Sequence, residues 1–336
     1  MPQLRIPGEP SATGRLAAWG QACLAALKRG QRWAGLARVR RAITIILSAV
    51  ALFGLAAVTY DNWDTLRTFD WQIRYKPLLL TYPLYSLALA LAILGWGWIL
   101  RALGSTVSWG EHVRVYCVSN LARRLPGVLW YVVGRVVLYD PEKTSKGAIS
   151  FGSALELILT ALAGLLVSAL AWPDALGSVI HPVWILAAVG CCLVMLHPRV
   201  LEFVWQRLGR GSPRGGVQRP GYGQMLGWLL LYAVVWVAGG VVLFELIATL
   251  YPAPSSWLLS AIGAWSLSGM VAVLAAVLPV GFGLRELTLG LLLADFMPDG
   301  LAIVVAILTR LLLTAYELFW VLVIHARERI SPLILK

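Results

Sequence analysis

Six ionisable side chains interrupt otherwise apolar stretches of the chain. They are Arg135, Glu156, Arg285, Glu286, Arg310 and Glu317. An arginine side chain presents a planar fork of N–H donors that matches the oxygens of a phosphate. A glutamate beside it can neutralise the arginine, bind an amine or carry a proton, and the sequence does not choose among these roles. These residue types indicate a site for an anionic or zwitterionic group.

The apolar surroundings make these six residues candidates for binding a substrate. Any one of them could belong to a structural ion pair, but several charges at membrane depth are costly unless they share a polar cavity. Arg310 and Glu317 are seven residues apart, which places them on one face of a helix about two turns from each other. Because that separation is too long for a local pair, each is expected to find a partner elsewhere, with Arg285 and Glu286 as the candidates.

A helix break lies directly before one group of these charges. Residues 256–278 contain no charge and are followed by Pro279, Gly281 and Gly283, just ahead of Arg285. Proline has no N–H to donate and glycine loosens the backbone, so a helix cannot continue through this point. In a bilayer such a break requires protein or water to satisfy the freed backbone groups. A helix that begins near Gly283 also offers N–H groups to an anion.

A second break, Pro126–Gly127, divides an earlier and less apolar stretch. Neither arm around this break is long enough to cross a bilayer, so residues 113–139 are predicted to form a hairpin that enters and leaves on the cytoplasmic side. Asn120 and the two arginines just before the break are expected to extend towards the cytoplasm, and contact with a gate or a lipid head group is the alternative.

The composition restricts the class of protein. Of the 336 residues, 59% are hydrophobic and 13% are charged, and the mean hydropathy is +0.77. These values exclude a soluble globular domain. The formal charge of the chain is +12. In a membrane protein, a basic excess of this kind is typical when cytoplasmic loops face anionic lipid, and no nucleic-acid partner is expected. The sequence shows no metal-ligand cluster, nucleophile elbow or nucleotide loop, so no metal, cofactor or enzymatic activity is expected.

Hydropathy predicts an all-α polytopic membrane protein with six full crossings, at roughly twenty residues per crossing. The predicted crossings are 42–60, 78–100, 148–172, 183–196, 225–250 and 301–324. Two re-entrant helical hairpins, around 113–139 and 256–296, separate them. Charge bias favours a second hairpin that enters from the outer side, opposite to the first.

The order crossing, crossing, hairpin, crossing then occurs twice, which predicts two inverted repeats over 42–197 and 225–325. A basic linker, 198–224, joins them. The basic N-terminal segment 1–41 is either an interfacial helix or a solvated tail, and 326–336 is a short tail. By the positive-inside rule both termini are expected in the cytoplasm. The expected location of the protein is the plasma or inner membrane of the cell.

Two segments resemble the lysylphosphatidylglycerol synthase transmembrane-region family, whose members are also called flippase-like integral membrane proteins. The first segment is 120–127, Asn-Leu-Ala-Arg-Arg-Leu-Pro-Gly, with Arg135 and Glu156 after it. The second is 278–286, Leu-Pro-Val-Gly-Phe-Gly-Leu-Arg-Glu, with Arg310 after it. The resemblance covers about 42–324. Many relatives have a Gly-Glu pair after the first proline, where this chain has Val-Leu-Trp.

The resemblance implies two re-entrant hairpins and movement of lipids between leaflets. Its best understood members move aminoacylated phospholipid and carry a soluble aminoacyl-transferase domain, which this sequence lacks up to Lys336, so synthesis of that lipid is not expected. Stand-alone relatives suggest polyprenyl-linked sugars or envelope glycolipids as cargo.

The leading hypothesis is a lipid flippase for an anionic or zwitterionic phospholipid, aminoacyl-phospholipid or polyprenyl-linked glycolipid. The alternative is a non-catalytic scaffold for a glycosyltransferase or another envelope-lipid enzyme, and a membrane transferase is a third. Association with an envelope-biosynthesis enzyme or with further copies of the chain stays open.

Overall fold

The computed structural model describes residues 73–122, 129–171, 220–277 and 284–334, together with a few single positions. Within these ranges the chain forms helices and no strand. The helices are α1 (Tyr75–Ala102), α2 (Trp109–Ala122), α3 (Leu129–Leu138), α4 (Lys146–Ala171), α5 (Tyr222–Leu250), α6 (Trp257–Val277), α7 (Leu284–Ala294) and α8 (Asp299–Ile334). The predicted crossings 42–60 and 183–196, the N-terminal segment and most of the basic linker lie outside the described ranges.

Four of the described helices are long and apolar enough to cross a membrane. They are α1, α4, α5 and the part of α8 from Gly300 to Arg327, with 28, 26, 29 and 28 residues. At about 1.5 Å per residue each exceeds the roughly 30 Å hydrocarbon core of a bilayer. This finding agrees with an integral membrane protein and with four of the predicted crossings. The last helix continues past the predicted end at Ile324 as far as Ile334.

Helices α2 and α3, called here the first pair, lie side by side, with the start of α2 next to the end of α3. We call these two helix ends, and the corresponding ends of α6 and α7, the outer ends of a pair. Glu111 near the start of α2 forms a 3.2 Å ion pair with Lys143, which follows α3. One residue further on, His112 Nδ1 lies 2.8 Å from the hydroxyl of Tyr139. The start of α2 and the end of α3 therefore meet at one end of the bundle, beside the end of α1.

Helices α6 and α7, the second pair, have the same arrangement. The ring of Trp257 at the start of α6 packs edge-on against Phe296, which follows α7, with 5.4 Å between ring centroids. Trp257 also stacks on Tyr251 at the end of α5. The outer ends of the second pair therefore lie beside the end of α5.

Helices α1 and α5 run antiparallel. The N–H of Arg74, just before α1, donates to the carbonyl oxygen of Thr249 at the end of α5, at 2.9 Å. Further along, Gly95 of α1 lies against the Tyr232 side chain of α5. Since the first pair follows the end of α1 and the second pair follows the end of α5, the two pairs open at opposite ends of the bundle.

Close helix contacts and one large aromatic side chain form the centre of the bundle. A Cβ atom added at Gly240 of α5 would lie 2.5 Å from the Cα of Ile262 on α6, so glycine is required for this approach. Trp236 of α5 lies between α4 and α6, and its indole N–H donates to the carbonyl oxygen of Thr160 at 2.8 Å. These contacts hold α4, α5 and α6 together.

Candidate functional site

Arg135 on α3 and Glu156 on α4 form a buried ion pair. Both side chains are only 1% exposed. One guanidinium nitrogen contacts Oε2 of Glu156 directly, and the other donates to Oε1 at 3.4 Å. The hydroxyls of Tyr116 and Tyr232 also donate to Oε1, at 3.1 and 3.3 Å. Both oxygens of this carboxylate are therefore occupied by donors.

Aromatic rings enclose the guanidinium of Arg135. Its central carbon lies 3.8 Å from the ring centre of Trp96, 4.7 Å from Tyr116 and 5.1 Å from Tyr131. Its Nε donates to the hydroxyl of Ser119 at 3.4 Å. Cation–π contacts and the carboxylate together offset the loss of water from a buried cation. The arrangement fixes Arg135 in place.

Glu286 on α7 and Arg310 on α8 form the second pair of opposite charges. A guanidinium nitrogen of Arg310 donates to Oε1 of Glu286 at 2.6 Å, which confirms the predicted pairing of these two residues. The Glu286 side chain is 9% exposed and that of Arg310 is 23% exposed. The other carboxylate oxygen, Oε2, is buried and has no hydrogen-bond partner among the described residues. This pair differs from the first in being partly accessible and in having one carboxylate oxygen for which the described residues supply no donor.

Glu317 binds a residue of the first pair. The side-chain amide of Asn120, at the end of α2, donates to Oε1 of Glu317 on α8 at 3.0 Å. The expected position of Asn120, extended towards the cytoplasm, is therefore wrong: the side chain is partly buried because Glu317 provides a charged acceptor. The sequence predicts Arg285 and Glu286 as the partners of Arg310 and Glu317, whereas the described donor to Glu317 is an amide from the other half of the chain.

Arg285 lies over the face of an aromatic ring. Its guanidinium carbon is 4.2 Å from the ring centre of Trp265 on α6. A cation in this position is stabilised by the ring quadrupole. Arg285 therefore lies in the second helix pair, one residue from the Glu286–Arg310 contact.

The six predicted residues do not form one cluster but lie along a route through the bundle. Ser119 accepts from Arg135, and the next residue, Asn120, donates to Glu317. Glu317 and Arg310 lie on the same helix, α8, about 10 Å apart along its axis. Glu286 binds Arg310. We call this succession, from Glu156 to Glu286, the polar route. It connects the first helix pair with the second.

Several members of the polar route were not predicted from the sequence. They are Trp96, Tyr116, Ser119, Tyr131 and Tyr232. The usable signal is on α2, where Tyr116 and Asn120 are four residues apart and share one face of the helix. The tyrosines and tryptophan on other helices give no such signal, because aromatic residues are frequent throughout a membrane protein.

The outer ends of the first pair contain a further polar cluster. The hydroxyl of Tyr139 receives the indole N–H of Trp96 at 2.7 Å and contacts His112, whose Nε2 is buried without a hydrogen-bond partner among the described residues. Burial, with a smaller effect from the nearby charge of Arg101, lowers the pKa of His112 from 6.5 to about 4. A cavity of about 450 Å³ opens beside it, with Glu111, Asp140 and Lys143 in its wall.

The predicted break residues Pro126, Gly127, Pro279, Gly281 and Gly283 lie outside the described residues. Within the described ranges, no group of three or more His, Cys, Asp or Glu side chains could hold a metal ion. The chemistry of the described site is that of ion pairs, hydroxyls and aromatic faces.

Neither a family model nor a curated protein matches this chain when the sequences are compared. The class of the protein follows from its fold: in the part of the chain that the structure describes it is helical, and four of these helices are long and apolar enough to cross a membrane.

Proposed function

We propose that this protein is a lipid translocator that moves an anionic or zwitterionic lipid between the leaflets of the cell membrane. The Glu286–Arg310 contact is the observation that carries this proposal. A buried carboxylate, with one oxygen for which the described residues supply no donor, faces an arginine that is 23% exposed, in a bundle with four described helices long and apolar enough to cross a membrane. Arg310 is accessible enough for the phosphate of a head group to replace Glu286 as its partner.

In this proposal the two helix pairs enter the membrane from opposite sides as re-entrant hairpins. Their opening at opposite ends of the bundle supports this arrangement, and the order long helix, pair, long helix occurs in both halves. Inverted halves with broken helices are typical of transporters that expose one central site to each side in turn. One half would rock against the other, with the polar route between them and both termini in the cytoplasm.

The charged residues divide between two roles. Arg135 and Glu156 hold the first pair to α4 and α5, because every acceptor of Glu156 is occupied and both side chains are buried. Arg310 and Arg285 bind the phosphate of the lipid. Glu286 and Glu317 balance their charges when no lipid is bound. The resemblance to flippase-like proteins points in the same direction and leaves phospholipid, aminoacyl-phospholipid and polyprenyl-linked glycolipid as candidate cargoes.

The test is transbilayer movement of fluorescent lipids in reconstituted vesicles. Arg310→Ala should abolish movement while the protein still folds, and Arg310→Lys should retain part of it because a charge without the planar fork remains. Arg101→Ala is the matched control, since it removes an arginine that lies over Trp109 at the outer end of the first pair. Unchanged movement by Arg310→Ala would exclude this arginine from the mechanism.

The second candidate is a non-catalytic accessory subunit for an envelope-lipid enzyme. The fully occupied Arg135–Glu156 pair favours it, because a fixed pair stabilises a bundle without moving a substrate. Native mass spectrometry of gently purified protein separates the two candidates. A stoichiometric enzyme partner supports the accessory subunit, and a bound lipid class that is lost in Arg285→Ala/Arg310→Ala supports translocation.

A further inference from the structure

The two membrane-embedded ion pairs differ in how completely their carboxylates are bonded. Glu156 receives Arg135, Tyr116 and Tyr232, so a proton added to either of its oxygens would displace a donor. Glu286 receives Arg310 on Oε1 alone, while its Oε2 is buried without a hydrogen-bond partner among the described residues. A buried acceptor that lacks a donor is unfavourable, and a proton satisfies it without breaking another bond. Glu286 is therefore the carboxylate that can accept a proton at the lowest structural cost.

Charge balance gives that proton a role. Near the Glu286–Arg310 contact the described charges are Arg285 and Arg310 against Glu286 and Glu317, which sum to zero. A head group with one phosphodiester charge that binds Arg310 and Arg285 would give these groups a net charge of −1 and bring the phosphate close to the Glu286 carboxylate. Two anions that share a low-dielectric site repel each other, and the usual result is that one of them takes a proton. The anion and the proton are then bound together.

Few other titratable groups face this site. Helix α7 packs against α6 and α8. Helix α6 has no acidic, basic or histidine side chain in its described span. On α8, Arg310 contacts Glu286 directly and Glu317 lies two turns away with Asn120 as a donor, whereas Asp299 and His325 are near the ends of the helix. Among the described residues, Glu286 is the acid in contact with the arginine that would bind phosphate.

We infer that Glu286 is the proton-binding residue of a proton-coupled translocator, with Oε2 taking one proton when an anionic head group binds Arg310. This inference rests on the proposed function and adds its coupling ion. The proton comes from water on the side to which the site is open, and the Glu286 carboxylate becomes a neutral carboxylic acid. The Arg310–Glu286 ion pair is exchanged for an Arg310–phosphate pair. After the site opens to the other side, lipid and proton leave together and the ion pair forms again.

The experiment measures proton uptake when a singly anionic lipid binds. Dihexanoylphosphatidylglycerol is added to purified wild-type protein in weakly buffered detergent solution, and lipid binding and pH change are recorded together. Wild type should take up about one proton per lipid bound, and by linkage its lipid affinity should rise as the pH falls. Glu286→Gln, which resembles the protonated acid, should bind the lipid without proton uptake and with an affinity that no longer depends on pH. Asp295→Asn, an exposed carboxylate just after α7, is the matched control and should behave as wild type.

The outcomes separate this inference from the proposed function. Lipid binding by wild type without proton uptake overturns the inference and leaves translocation in place. Proton uptake that persists in Glu286→Gln also overturns it, because another group is then the acceptor. Absence of lipid binding, together with absence of fluorescent phosphatidylglycerol movement in phosphatidylcholine vesicles, overturns both proposals. Infrared difference spectra of wild type with an ether-linked phosphatidylglycerol, which has no ester carbonyl, supply a check that needs no variant, since binding should produce the C=O stretch of a protonated carboxyl group.

Discussion

The amide nitrogen of Asn120 lies 3.0 Å from Oε1 of Glu317, which joins the end of α2 to α8 across 197 residues of sequence. Asn120 follows Ser119, which binds Arg135, and Glu317 shares α8 with Arg310. This hydrogen bond therefore connects the part of the polar route in the first half of the chain with the part in the second half. A motion of one half against the other has to break this bond or carry it along.

Asn120→Ala should lower both stability and lipid movement. It removes a hydrogen bond to a charged acceptor, a loss of about 1.5–3 kcal/mol, and it separates the two parts of the polar route. The measurements are thermal unfolding in detergent and lipid movement in vesicles. Ser86→Ala is the control, because it removes a 3.1 Å hydrogen bond from Trp320 of the same helix α8 outside the polar route. Ser86→Ala should cost some stability and leave lipid movement unchanged; an equal loss of movement in both variants would mean that the Asn120 bond is only structural.

Glu156→Gln should destabilise the protein severely. Removing one partner of a buried ion pair leaves the other charge uncompensated, at a cost of about 3–5 kcal/mol. Arg135 is 1% exposed and enclosed by aromatic rings, so water cannot replace the lost carboxylate. The thermal unfolding midpoint should fall by far more in Glu156→Gln than in Glu286→Gln, whose partner Arg310 is 23% exposed.

A double substitution tests the same point from the other direction. Arg135→Met/Glu156→Leu replaces both charges with apolar side chains and should recover most of the stability lost in Glu156→Gln, because no unpaired charge remains. A double variant as unstable as the single one would show that the hydroxyls of Tyr116 and Tyr232, left without their acceptor, dominate the loss.

The long helices of this fold are predictable from the sequence, and the partners of the buried charges are not. An uninterrupted apolar run of this length predicts a membrane crossing, because a charge exposed to lipid within a crossing would be costly. The predicted spans 78–100 and 225–250 accordingly lie within α1 and α5. Helical spacing also indicated that Arg310 and Glu317 share a face. Spacing does not tell which other helix meets that face, and so the contact of Glu317 with Asn120 and of Glu156 with Tyr232 required the packed structure.

Gly240→Ala should disrupt the contact between α5 and α6. Its Cβ would lie 2.5 Å from the backbone Cα of Ile262, so one helix must move. Overpacking of this kind typically costs about 1–3 kcal/mol. Gly227→Ala on the same helix is the control, since its Cβ would meet nothing within 4 Å, and it should leave the unfolding midpoint unchanged or raise it. Equal midpoints for both variants would contradict the close approach of the two helices.

Acid should weaken the outer ends of the first pair through His112. Burial lowers the pKa of His112 to about 4 in the folded protein, whereas the unfolded chain has the ordinary value of 6.5. Between these values the unfolded state binds the proton first, so stability is complete above pH 6.5 and declines as the pH falls towards 4, with no further loss below. His112→Gln keeps one polar group near the Tyr139 hydroxyl and does not titrate, so its unfolding midpoint should vary less over this interval than that of wild type. The comparison is made by thermal unfolding in detergent, from pH 7.5, which is roughly one unit above the pKa of the unfolded chain, down to pH 4. Parallel curves for the two proteins would show that other groups determine the acid response.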